Sequence, residues 1–416
     1  MDCVLKLKRL RNDNGVRTCM IVNASNGLPL VYENLYVAVL SRTKNYSYST
    51  IESIAGVLMS YAKYLNDKGI TLDSKVNKER LLEGRLAYDT MIHFSSKHKE
   101  AKVTKIKEER IISECSLHYK LSVIEKYLVW FFLNVIESNN KDAELISRNF
   151  EYVRPNIKVR KSYSELENKS LDKDQIKALK ELIKIDSESN PFKDCVKFRN
   201  EVIISILLET GIRGGELLNL KTDDFKYNKK ELHIIRRPDD KEETRLRQPL
   251  VKTAERKIPL TKALCERIKI YIDKERSNQK LSKGHNYLMV THSSNFVMGS
   301  PLTISGYQKI FNIIRMNEAL LKNFVAHSLR HTWNVNYSEH VYQLANPANY
   351  EMYEKVRNYL MGWSRRSKTS EVYTQRYLIN ESYKIMQFMN ATSLLEKEPK
   401  KHAQNITKTR KSIFGF

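Results

Sequence analysis

Five consecutive residues toward the C-terminal end, His327-Ser328-Leu329-Arg330-His331, bring together two imidazoles and a guanidinium. Attracting a phosphate would need only Lys or Arg on an exposed face, whereas His adds proton transfer near neutral pH. On a helix, His327, Arg330 and His331 stand at i, i+3 and i+4 and share one face. The pentapeptide alone reads equally well as a solvated basic helix start. A phosphoryl-transfer site needs further parts, and they must come from elsewhere in the chain.

Three other stretches offer such parts. Arg213 follows Thr210-Gly211-Ile212 at the end of an apolar helix, with Glu216 one turn later. Such a pair is either a structural ion pair or a guanidinium fork held toward a phosphate. Lys252, in Leu250-Val251-Lys252-Thr253-Ala254-Glu255, falls in the turn of a hairpin whose second strand is Arg256–Leu260; lysines at hairpin turns are commonly inert. Leu360-Met361-Gly362-Trp363 is followed ten residues later by Tyr373. A tyrosine on a helix is most often packing, and its phenol needs strong activation to attack anything near pH 7.

Taken together these pieces resemble the tyrosine recombinase (phage integrase) family. The resemblance rests on T-G-I-R-x-x-E-L at 210–217, the hairpin Lys252, H-x-L-R-H at 327–331, L-x-G-W at 360–363 and T-S-E-V-Y ending at Tyr373. It covers roughly residues 170–380, with the five pieces in the family's order. By that resemblance Arg213 and Arg330 clamp the scissile phosphate, Tyr373 attacks phosphorus and leaves a 3′-phosphotyrosyl link, and Lys252 protonates the departing 5′-oxygen. His327 assists the tyrosine proton, Trp363 donates to a phosphate oxygen or packs the site, and His331 is a supporting neighbour. Trp363 stands where most members carry His, and its interval to Tyr373 is one residue longer than is common, which leaves Tyr377 as the alternative nucleophile.

The resemblance implies a site-specific DNA recombinase that integrates or excises a mobile element without metal, cofactor or ATP. Its partners would be double-stranded DNA, three further copies of the chain in a homo-tetramer on two DNA sites, and excision or DNA-bending accessory proteins. A type IB topoisomerase, a telomere-resolvase-like strand transferase and a catalytically inactive DNA-binding relative remain alternatives. The fold implied is mostly α with a small β-sheet: a helical core-binding domain, a mixed α/β catalytic domain and a short N-terminal β-hairpin segment.

Composition agrees with a polyanionic partner. The chain has 416 residues, too many for one compact core, and a formal net charge of +24. No stretch approaches a transmembrane span; the most apolar run, residues 127–136, is about half the length required. The first residues alternate in charge without an apolar signal core. Five scattered cysteines argue against a disulfide frame or zinc cluster and for a reducing cytoplasm.

The elements that must position these residues follow from patterning. Asp13-Asn14-Gly15 between alternating runs predicts a hairpin, whose Lys6, Lys8, Arg9, Arg11 and Arg17 either contact DNA or blunt an exposed edge. A capping box at Ser49–Glu52 opens a helix that Gly69 closes, and residues 76–93, 103–118 and 121–138 read as further helices. Lysines at 97, 99, 102, 105 and 107 make this region basic, for DNA or merely for solubility. Residues 146–168 lose periodicity and read as a basic linker around Lys158, Arg160 and Lys161. Helices are expected at 172–185, 198–210, 261–275, 303–316, 328–345, 351–361 and 380–395. Strands are expected at 231–236, 255–260 and 287–291. The resulting division is an accessory segment 1–40, a helical DNA-binding domain 41–145, a linker 146–169, a catalytic domain 170–393 and a basic tail 394–416.

Overall fold

The computed structural model describes residues 4–44, 46–72, 78–96, 112–156, 169–292, 297–344 and 349–364, together with Ser382, Met386 and Met389. The lysines at 97–107, the basic run at 158–161, Tyr373, Tyr377 and the tail lie outside the described residues. The chain is mostly helical, with two small sheets among the described residues, and divides into two compact units, Met1–Arg160 with Asp239–Gln248, and Lys161–Pro238 with Pro249–Phe416.

The first unit opens with antiparallel strands β1 (Leu5–Arg11) and β2 (Arg17–Asn23), paired from Leu5↔Asn23 to Arg11↔Arg17. Gly15 takes the left-handed conformation, at φ 85°, that the turn demands. Among the described residues six helices follow: α1 (Val31–Thr43), α2 (Tyr48–Asp67), α3 (Lys78–Leu82), α4 (Gly84–Ser95), α5 (Glu114–Asn134) and α6 (Asn140–Val153). Cys19 and Ile21 of β2 join Tyr36, Tyr61, Tyr127, Phe131 and Phe132 in one core, so the hairpin is part of the helical unit's own interior.

Several local expectations are corrected. Ser47, not Ser49, takes the N-cap position of α2, without a side-chain hydrogen bond to the helix, and Glu52 pairs with Arg9 and with Arg247 (2.9 Å) instead of closing a capping box. The two helices expected at 103–118 and 121–138 are replaced over the described residues by the single α5, because no Gly or Pro interrupts 114–134. The helix expected at 76–93 is split at Glu83, where Asn149 of α6 donates to the Leu82 carbonyl at 2.9 Å and closes α3. The linker reading fails over 146–153. There α6 continues with Ala143, Ile146 and Phe150 on one buried face, three apolar residues too few to stand out among polar neighbours.

Residues 239–248 belong to this first unit although their chain neighbours on both sides belong to the second. The buried Arg17 holds them: it donates to Glu243 O (2.9 Å), Arg245 O (3.2 Å) and Gln248 Oε1 (3.0 Å), and also to Gly15 O (2.8 Å). Within the segment Glu243 and Arg245 form a buried ion pair at 2.6 Å. Arg17→Ala leaves these acceptors without their charged donor and should cost about 2–4 kcal/mol. An earlier urea transition with lost amide-exchange protection in β2 is the expected reading; an unchanged transition would contradict the bracing role.

The second unit begins with α7 (Lys173–Ile183), capped reciprocally by Asp172 and Gln175, then α8 (Asp194–Thr210) and the short α9 (Gly214–Asn219). A three-stranded antiparallel sheet follows, in the order β3 (Phe225–Lys226), β4 (Glu231–Ile234), β5 (Arg256–Pro259). Helix α10 (Lys262–Ile270) runs on into a π-turn at Tyr271–Arg276, and α11 (Ile304–Asn317), α12 (Ala326–Leu344) and α13 (Tyr350–Met361) follow among the described residues. The strand expected at 287–291 is not formed; Tyr287 and Val290 make only single bridges, to Lys221 and Pro301. Ile203, Ile206, Leu217, Leu232, Ile268, Ile314 and Leu329 lie in one core, so α8, α9, β4, α10, α11 and α12 are locked against each other. Among the described residues no helix is long and apolar enough to cross a membrane.

Candidate active site

The apolar helix α8 stops at Gly211, which adopts φ 63° as a left-handed cap. A Cβ here would lie 2.9 Å from the Trp333 ring and 3.0 Å from Met361, so glycine is required twice over, by conformation and by space. Two residues later Arg213 is the N-cap of α9, its side chain one-third exposed. Glu216 does not hold the Arg213 guanidinium closely. Its Oε2 accepts from the Arg213 backbone N–H at 2.9 Å, while the guanidinium stands 3.6 Å from Oε1. The expected ion pair is therefore a loose one, and Glu216 spends its charge elsewhere.

Its close partner is Arg256 on β5. The two side chains are fully buried and meet at 2.8 Å. Thr253 donates to Glu216 Oε1, and Arg256 Nη1 donates to Thr253 Oγ1 at 3.0 Å. Burial by itself would raise the Glu216 pKa, but the charge and hydrogen bonds of Arg256, the Thr253 hydroxyl and the Arg213 backbone outweigh it and hold the carboxyl below its ordinary range. Removing one member of such a pair typically costs about 3–5 kcal/mol, because the other charge is left buried alone. Lys252 is exposed and immediately precedes Thr253.

On α12 the five-residue run divides by role. His327, in the first turn, keeps part of its surface open to solvent while the rest packs in the protein, and His331 is partly buried; their rings meet edge to face with centroids 4.6 Å apart. Arg330 turns inward and is 2% exposed. Its Nη1 donates to Gly211 O at 2.8 Å and its Nη2 to Met361 O at 2.9 Å. One guanidinium thereby ties the end of α8 to the end of α13. Gly362 ends α13 at φ 62°, and Trp363 beyond it lies with its ring 5.4 Å from the Arg330 guanidinium carbon. Trp363 thus packs on Arg330.

Partial burial first, then the positive charges of Arg330, Arg213 and Lys169, hold the His327 pKa below the usual 6.5. The ring is consequently neutral near pH 7 and offers a nitrogen that can accept a proton. A histidine depressed in this way contributes stability above the unfolded value of about 6.5, and that contribution is lost as pH falls through the lowered folded value. An NMR titration should place the His327 midpoint below 6.5, rising when a phosphodiester supplies negative charge beside it. A midpoint at or above 6.5 in the free protein would contradict the cationic field.

The structure therefore brings Arg213, His327, Arg330 and Trp363 together and sets the Lys252 turn against Glu216, while Tyr373 lies outside the described residues. Sequence reasoning missed Arg256, Thr253 and Trp333. Arg256 alternates with Ile258 on the inward face of β5, and an inward arginine calls for a buried carboxylate. Trp333 left no signal, since its closeness to Gly211 appears only in three dimensions.

Residues 169–378, half of the chain, match the phage integrase family. The chain belongs to that family. Among curated relatives of this phage integrase family member, the tyrosine recombinase XerC-like protein of Caldanaerobacter subterraneus is 27% identical over 208 residues, 45% of this chain and 49% of that protein. Tyrosine recombinase XerC of Staphylococcus epidermidis is 27% identical over 135 residues, 32% of this chain and 38% of that protein. The matches span half or less of these relatives' length. The solved Tn1549 transposon integrase, in complex with circular intermediate DNA, aligns with 84% of this chain and 100% of that one at 16% identity and a TM-score of 0.46. The matched family region contains Arg213, Lys252, Arg256, His327, Arg330, Trp363 and Tyr373.

Proposed function

We propose that this integrase-family protein is a site-specific DNA recombinase that cuts and rejoins strands through a 3′-phosphotyrosyl intermediate, in the service of a mobile element. The observation that carries the reading is the Arg330 guanidinium, one turn beyond His327 on α12, which joins Gly211 O, two residues before Arg213, to Met361 O, two residues before Trp363. A neutral base beside two fixed cations suits the attack of a phenol on a phosphodiester. The cations stabilise the charge that grows on the non-bridging oxygens, and the base takes the phenolic proton.

In this scheme the Tyr373 oxygen forms a bond to phosphorus as the bond to the 5′-oxygen breaks. His327 receives the tyrosine proton, Lys252 delivers one to the 5′-oxygen, and Arg213 and Arg330 hold the phosphate between them. Trp363 supports Arg330 from one face. The bond energy is kept in the phosphotyrosyl link, so the reverse attack by a 5′-hydroxyl reseals a strand without an external energy source. A homo-tetramer on two duplexes, with excision or bending proteins as accessories, is the assembly such an exchange calls for, and the +24 charge suits a DNA partner.

The test uses nicked duplexes from the flanks of the encoding gene, where a self-mobilising element would be cut. A denaturant-stable protein–DNA adduct with a free 5′-hydroxyl, followed by joining of two duplexes, is expected. Relaxation of supercoils without joining would favour a topoisomerase, and binding without any adduct an inactive relative. Binding should weaken steeply with salt, by about 0.9 in log K per decade of salt for each neutralised phosphate. A flat salt response would contradict the DNA-binding reading.

A further inference from the structure

Arg256 was given no role by its sequence context, yet its guanidinium is shared among three separate stretches of the site. Nη2 donates to Glu216 at 2.8 Å, which fixes the start of α9 beside Arg213. Nη1 donates to Thr253 Oγ1 at 3.0 Å and to Ala254 O at 3.3 Å, the two residues directly after Lys252. Nε donates to Leu360 O at 2.6 Å, three residues before Trp363. Ala254 N–H then donates to Gly362 O at 3.3 Å, closing the circuit between the Lys252 turn and the end of α13. A Cβ on Gly362 would lie 2.7 Å from Arg256 Nη1, so the glycine is what lets the guanidinium come this close.

A structural ion pair would be complete with the Glu216 contact alone. The additional donors go to the backbone and hydroxyl that follow an exposed lysine, which has a long flexible stem and no ion-pair partner among the described residues. We propose that Arg256 is a positioning residue for Lys252: by fixing Thr253 and Ala254 against Glu216 and Leu360 it aims the Lys252 ammonium at the departing 5′-oxygen. This rests on the reading of Lys252 as the proton donor given above. A general acid acts only within hydrogen-bond reach of its target, so a turn that drifts by an ångström loses proton delivery while the phosphate clamp stays in place.

The leaving group distinguishes positioning from simple stabilisation. With an ordinary phosphodiester, the 5′-oxygen must take a proton as its bond to phosphorus breaks. With sulfur at the 5′-bridging position, the departing group leaves as a thiolate, whose acid is far stronger than an alcohol, and needs no proton. A fault confined to proton delivery is therefore repaired by sulfur, whereas a fault in clamping the phosphate or in folding is not.

Arg256→Lys keeps a cation for Glu216 but cannot reach all four acceptors, and Thr253→Val removes only the hydroxyl. The full-length variants are assayed on nicked duplexes from the gene's flanks with oxygen or sulfur at the bridging position, beside Lys252→Ala. Both variants should bind DNA as the parent does, form adduct about tenfold or more slowly on oxygen, and return to near the parent rate on sulfur, as Lys252→Ala does. If Lys252→Ala is not repaired by sulfur, the reading of Lys252 itself fails. If Lys252→Ala is repaired but the Arg256 and Thr253 variants are slow on both substrates, or slow on neither, the positioning role is overturned. Failure of both variants to fold would overturn it as well, leaving the pair a stabilising element only.

Discussion

Arg330→Ala should slow adduct formation about 10²–10³-fold while weakening DNA binding far less, since in the proposed scheme its charge acts mainly on the transition state. The structure gives the substitution a second consequence. Arg330 is 2% exposed and bridges Gly211 O and Met361 O, so its loss leaves two carbonyls without their charged donor and takes the support from beneath Trp363. The ends of α8 and α13, next to Arg213 and Trp363, then lose the guanidinium that joins them. Arg330→Lys should recover only part of the rate, because one ammonium cannot reproduce a planar fork that spans both carbonyls. Single-turnover kinetics with parallel binding measurements separate the cases. Equal losses in rate and affinity would reduce Arg330 to a residue that merely holds DNA.

Tyr373→Phe should eliminate the covalent adduct and leave binding intact. The phenyl ring keeps the shape but has no oxygen with which to bond phosphorus, so no residual rate is expected from this position. The ordinary phenol, with a pKa of about 10, is protonated near pH 7 and needs a base. In the proposed scheme His327, whose pKa partial burial and cationic neighbours hold below the usual value, is that base. Adduct formation should accordingly fall as pH drops through the lowered His327 value, where the imidazole becomes charged and can no longer accept. An adduct that survives in Tyr373→Phe would move the nucleophile to Tyr377.

What the sequence revealed and what it hid divide along a physical line. The helix ends at Thr210 and Met361 were legible, and the glycine after each takes the left-handed conformation of a cap. The helical spacing of His327, Arg330 and His331 was legible too, and α12 sets the two imidazoles edge to face. The direction of Arg330 was not, because the carbonyls that turn it inward come from Gly211 and Met361, each remote in sequence. Glu216 was noticed as a partner for Arg213, its neighbour in sequence. The stronger claim of Arg256 depends on β5 lying beside α9, which no local pattern encodes. The grouping of residues 239–248 with the first unit was hidden for the same reason: buried Arg17 selects them through backbone carbonyls, which carry no side-chain signature.

The central claim is that Tyr373 becomes joined to DNA within the setting of Arg213, Lys252, His327 and Arg330. Trapping the adduct on a nicked duplex from the gene's flanks, digesting both polymers and sequencing the modified peptide by mass spectrometry tests it directly. A nucleotide attached through its 3′-phosphate to Tyr373 is the predicted result. A nucleotide on Tyr377 or on any other residue, or one joined through a 5′-phosphate, would contradict it.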